Sequence, residues 1–155
     1  RFLQVSSDGG VATGRVFMSR PGLMRFEYDP PETILLISDG LFFMFIDKYS
    51  EQITHVFLKS TPLNFLIREN VQLSGDVTVT KIERTPAVLR VTIQDTEEPE
   101  NGSITLVFSD KPLTLRKWIV IDPQNIETSV TLTGVQTGIE LDPELFVFRK
   151  KRSWE

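Results

Sequence analysis

The chain has no cysteine and a single histidine, His55. Without cysteine, disulfides, thiolate metal sites and cysteine nucleophiles are excluded. With one imidazole there is no second histidine to act as base, and no serine lies in a G-x-S-x-G elbow. Positive charge is scarce as well: 17 Lys and Arg face 21 Asp and Glu, for a net charge of −4. Nucleic acid asks for a basic stripe, so it is not expected as a partner. No apolar run approaches the roughly 18 residues of a membrane-spanning helix. These absences leave a chain with no expected enzymatic activity, cofactor or metal.

What is present is alternation. Met24, Phe26 and Tyr28 fall on one face, with Leu23, Arg25 and Glu27 on the other. The stretches 87–94, 104–108 and 126–132 repeat the pattern. A period of two, rich in β-branched and aromatic residues, marks antiparallel strands with one dry face. Turn signals such as "SSDGG", "RPG", "DPP", "SDG", "RTP" and "SDKP" recur at the spacing of an all-β meander. The reading is ten or eleven strands, near 1–7, 10–19, 22–29, 33–38, 41–47, 51–58, 76–84, 86–95, 102–109, 113–121 and 125–136. A closing strand is expected near 145–148. The 155 residues suit one domain with a sizeable core.

One segment breaks the alternation. "STPLNFLIRENVQL" opens with Ser60 and Thr61 as caps and places Pro62 at a first helical position. Leu63, Leu66 and Ile67 then recur at helical spacing, with Phe65 beside them, so a short and strongly apolar helix is expected between two strands. The stretch Ser19 to Asp47 also carries more large apolar side chains than one half-buried sheet face needs. Phe43, Met44 and Phe45 are consecutive, so at most two of them face inward.

Other features read as ordinary surface. His55 lies in a strand-like run, "DTEEPENG" is a solvated hairpin tip, and "FRKKRSWE" is a solvated tail. The N-x-S match at Asn101 is a bare three-residue pattern.

The ordered set "RFLQ…DGG…SRPGLMRFEYDPPETILLISDG…EQITHVFLKSTPLNFLI" resembles the LolA family of outer-membrane lipoprotein carriers. It includes Phe2, Gln4, Gly14, Arg20–Pro21, Pro31, Ser38–Asp39–Gly40, Glu51–Gln52, Thr54 and Thr61–Pro62. Order and spacing match over roughly the first 70 residues, and the second half agrees mainly in strand pattern. The resemblance implies a mainly β fold: a strongly curved antiparallel sheet forming an incomplete barrel, with a short helical lid over an apolar cavity. It also implies an N-terminal helix ahead of the first strand, which this chain begins after.

By the same resemblance the protein is a periplasmic carrier of acylated lipoproteins, working as a monomer. It would load from an inner-membrane ABC-type release complex and deliver to an outer-membrane acceptor. Met24, Phe26, Tyr28 and Leu36 would line the acyl-chain cavity. Leu63, Phe65 and Leu66 would belong to the lid helix, and Arg20 would latch that lid through its backbone carbonyls. Three other readings stay open: a LolB-like acceptor, a sensing module of the same fold, and a β-domain with a filled core.

Overall fold

The computed structural model describes residues 1–64, 77–110 and 112–148. Eleven strands run β1 (Phe2–Ser6), β2 (Val11–Ser19), β3 (Leu23–Tyr28), β4 (Ile34–Asp39), β5 (Phe42–Asp47), β6 (Gln52–Phe57), β7 (Val77–Arg84), β8 (Val88–Asp95), β9 (Ser103–Ser109), β10 (Thr114–Ile121) and β11 (Glu127–Leu132). They form one antiparallel sheet in the order β6-β5-β4-β3-β2-β1-β11-β10-β9-β8-β7. Two meanders are therefore stitched together where β1 pairs with β11 (Phe2 opposite Leu132). The edges, β6 and β7, are consecutive in sequence and are not paired with each other, so the sheet is not closed into a barrel.

Turn chemistry explains the hairpins. The Asp39 carboxylate accepts hydrogen bonds from the Leu41 and Phe42 amides at 3.0 and 2.9 Å. Asp95 and Asp122 bind the amides following them in the same way. A short side-chain acceptor thus replaces a backbone one and reverses the chain.

Strand alternation sorts the apolar residues onto two faces. The inner face gathers Met24, Phe26, Leu36, Phe43, Val91, Ile93, Ile104, Leu106, Trp118 and Val130 into one buried cluster. Phe43 comes from near one edge and Val77 from the other, so the sheet curls around this cluster. The outer face carries a smaller one, Leu35, Ile37 and Ile46, packed with Phe148.

Two expectations need correction at the C-terminal end. The strand expected near 145–148 is a 3₁₀ turn, Pro143–Phe146. Asp142 caps it by accepting from the Glu144 amide at 3.0 Å, and Pro143 sits in its first turn, where a missing N–H does no harm. The last strand ends at Leu132 instead of running to residue 136. Beyond it, Gly134 and Gly138 take φ of +61° and +70°, which turn the chain out of the sheet. The segment then reaches the outer face, where Arg25 donates to the Leu145 carbonyl at 2.8 Å.

Candidate functional site

The turn that carries Arg20 is fixed from below. Gly22 follows it with φ +76°, and a Cβ there would lie 2.8 Å from the Cα of Gly40. The fully buried Ser38 hydroxyl donates to the Gly22 carbonyl at 2.6 Å. The "RPG" and "SDG" signals, far apart in sequence, thus form one structure: two turns in backbone contact, pinned by a buried serine. Arg20 itself is exposed at its edge.

Along β3 the inner face continues downward. Met24 and Phe26 are 0% and 3% exposed within the inner cluster. Phe26 meets Phe2 edge-on at 5.3 Å and Trp118 at 6.2 Å, so rings from β1, β3 and β10 interlock. Tyr28 closes the row. Its ring meets Phe2 at 5.3 Å and its hydroxyl donates to the Gln4 side chain at 2.7 Å. Burial of the phenol pushes its pKa up to about 12, because the ionised form loses water that one amide cannot replace.

Two clefts open beside this cluster. One, about 360 Å³, is lined by Tyr28, Leu36, Phe45, Ile34 and Gln4, with Asp8 and Glu32 at its rim. Phe43 and Phe45 share the inner face, their rings 5.0 Å apart, while Met44 packs on the outer cluster.

The other cleft, about 580 Å³, is a gap in the sheet wall. β2 runs on from Gly14 to Ser19, but β1 stops pairing with it at Phe2. On the far side β11 meets β10 only from Lys117 onward, leaving Thr114 and Leu115 bonded to β9 alone. Val16, Met18, Leu115 and Leu132 face the gap from the strands, and residues 133–139 and Leu141 cross it. Arg20 stands on its rim together with Arg1 and Arg15.

Of the residues singled out from sequence, Met24, Phe26 and Leu36 lie in the inner cluster, with Tyr28 and Leu63 packed against it. Phe65, Leu66 and the remainder of the expected lid helix lie outside the described residues, so the lid and the Arg20 latch stay expectations. His55 is an exposed cross-strand residue on the outer side, its ring edge-on to Phe42 at 5.7 Å. Sequence reading missed Arg15, Met18, Leu115 and Ile139 as cleft residues. Alternation places Met18 on the inner face, but an opening made by where strands stop leaves no mark on a single strand. Among the described residues no cluster of metal-ligating side chains occurs, and no helix is long and apolar enough to cross a membrane.

Comparison with known proteins gives a consistent result. The sequence profile described as outer membrane lipoprotein carrier protein LolA matches residues 1–149. An outer-membrane lipoprotein carrier protein from Pseudomonas syringae pv. syringae is 28% identical over 161 aligned positions, covering 96% of this chain and 75% of the relative. An uncharacterized protein from Rickettsia prowazekii is 24% identical, covering 96% of this chain and 68% of its own length. A crystal structure of a LolA superfamily protein from Nitrosomonas europaea superposes with a TM-score of 0.50 at 9% identity, covering 95% of this chain and 87% of that one. That likeness concerns the fold.

Proposed function

The chain belongs to the LolA family of outer membrane lipoprotein carrier proteins, and from that premise we propose that it binds the acyl chains of lipoproteins and ferries them across the periplasm. The observation that carries this reading is the inner face: an unclosed eleven-strand sheet whose concave side is apolar from near one edge to near the other. An acyl chain gains about 0.8 kcal/mol for each methylene taken from water. Lipoprotein chains therefore cross an aqueous space only inside a large apolar enclosure.

Met24, Phe26, Tyr28 and Leu36 supply the wall, and the apolar segment around Leu63, Phe65 and Leu66 supplies the cover. Empty, the wall closes on itself and keeps water out. Loaded, the inner side chains exchange contacts with each other for contacts with the chains, an exchange that methionine and aromatic surfaces tolerate. Nothing in this cycle asks for a nucleophile, a base or a cofactor. Arg20 latches the cover through backbone carbonyls, a task suited to a guanidinium with five donors and no acceptor. The partners are an inner-membrane release complex and an outer-membrane acceptor, and the protein works as a monomer.

The test is release of a triacylated lipoprotein from inner-membrane vesicles bearing the release complex. A soluble one-to-one complex with this protein is the expected result. Arg20→Leu is expected to load but to hand on cargo poorly. A folded protein that forms no complex beside an active release complex overturns the carrier role.

A further inference from the structure

The two edges of the open sheet are built differently. β7 is defended against pairing: a bulge breaks its register between Val79 and Lys81, and Lys81, Glu83 and Arg84 stand exposed along it. β6 has none of these devices. From Gln52 to Phe57 it holds no proline, Lys, Arg, Asp or Glu. It pairs with β5 without interruption, from Gln52 opposite Asp47 to Phe57 opposite Phe42. Thr54, His55 and Phe57 are exposed, and among the described residues no strand lies beyond β6. A regular, uncharged edge of this kind is a template for another strand.

The outer face beside this edge is unfinished as well. Phe57 stacks on Phe42 with ring centroids 5.1 Å apart, yet stays 57% exposed. His55 lies edge-on to the same Phe42 ring, and Ile53 packs on the outer cluster. Phe57, His55 and Ile53 thus form one outer row along the edge. Opposite charges stand at its two ends, Glu51 and Lys59, both exposed.

We propose that β6 pairs antiparallel with β6 of a second copy of this chain, about a two-fold axis through His55. Residues opposite each other in an antiparallel pair share a face, so outer face continues into outer face only when the axis passes through a residue. With the axis at His55, Ile53 lies opposite Phe57 of the second copy and Thr54 lies opposite Val56. The same register brings Glu51 level with Lys59 of the second copy, once at each end. An axis one residue away, at Thr54 or Val56, sets Glu51 against Phe57 or Thr61 and loses both charge pairs. Pattern and charge therefore select one occupant and one register. The contact is small, so the association is weak and reversible, and the one-to-one carrier is its dissociated form.

Cross-linking tests the register, because in a chain without cysteine each single-cysteine variant has one possible bridge. Directly opposite strand residues lie about 4.5–5.5 Å apart at Cα, within reach of a disulfide, while positions more than about 7 Å apart are not bridged. Under mild oxidation His55→Cys is expected to form a covalent dimer, the melting temperature of the reduced variant being unchanged. Ile53→Cys and Phe57→Cys are expected to stay monomeric alone and to cross-link when mixed. Ile82→Cys, at a position 61% exposed on β7, is the matched edge control and is expected not to cross-link. Sedimentation of the unaltered protein is expected to show a monomer–dimer equilibrium. Glu51→Lys weakens it at least about fivefold, and adding Lys59→Glu restores it. A protein that stays monomeric to about 1 mM overturns the proposal. So does self-linking of Ile53→Cys as fast as that of His55→Cys. Cross-linking no faster at position 55 than at position 82 also overturns it, and leaves β6 to a foreign strand or to its own chain. Lipoprotein release from vesicles by the Glu51→Lys variant reports carriage independently of these results.

Discussion

Single side chains set the limits of this fold in two places. Ser38 is fully buried and its one donated hydrogen bond satisfies the Gly22 carbonyl beneath the Arg20 turn. Ser38→Ala leaves that carbonyl without a partner, a loss of about 1–3 kcal/mol. At roughly 2–4 °C per kcal/mol for a domain of this size, the drop in melting temperature is readily measured by calorimetry. Tyr28 gives a pH signature. Its pKa is raised by burial from about 10 to about 12, so the folded state holds its proton to higher pH than the unfolded state does. The stability it contributes is intact below about pH 10 and is lost as pH climbs toward about 12. Unfolding by urea across that window is expected to show a falling midpoint that Tyr28→Phe flattens. A difference titration of tyrosinate absorbance between the two proteins places the ionisation near pH 12.

At the scale of elements, the strand hairpins were legible because their signals are local. Period-two runs and Asp- or Gly-bearing turns placed all eleven strands, since each depends on residues a few positions apart. The segment expected as a strand at 145–148 is a 3₁₀ turn for an equally local reason, the Asp142–Pro143 cap carried by "LDPELF". What sequence could not show was juxtaposition: the meeting of Gly22 with Gly40, the seam between β1 and β11, and the gap beside it. The close packing of β1, β2 and β3 rests on Gly14, where β2 passes between β1 and β3. A Cβ at Gly14 would fall on the Glu27 carbonyl oxygen and press on the Phe2 ring at 3.0 Å. Backbone cannot swing aside as a side-chain tip can, so Gly14→Ala forces β2 and β3 apart at a cost of at least about 1–3 kcal/mol. Gly10→Ala, whose nearest neighbour is the Asp8 carboxylate at 3.4 Å, is the matched control and is expected to change little. Hydrogen exchange on β1 to β3 separates the two: protection falls in the first variant and holds in the second.

For the whole molecule, the decisive property is that one apolar cluster serves two purposes. It stabilises the empty protein, and by the carrier proposal it is also the surface that cargo must reach. Every side chain in it therefore acts on stability and on loading with opposite sign, while the outer cluster acts on stability alone. Met24 and Ile46 make the comparison clean, since both are 0% exposed and both lie on the first meander. Met24 belongs to the inner cluster and Ile46 to the outer one. Truncating either to alanine removes buried methylenes and leaves a void, at about 2–5 kcal/mol each in the empty protein. The loaded proteins diverge. An acyl chain can occupy the void left by Met24→Ala, so binding restores part of the loss and the thermal shift on loading exceeds that of the unaltered protein, as linkage requires. The void left by Ile46→Ala lies on the wrong side of the sheet, so its deficit is the same empty and loaded. Melting temperatures of both variants, with and without a bound triacylated lipoprotein, decide the matter. If the Met24→Ala deficit is as large in the loaded protein as in the empty one, the inner face is a filled core and cargo binds elsewhere.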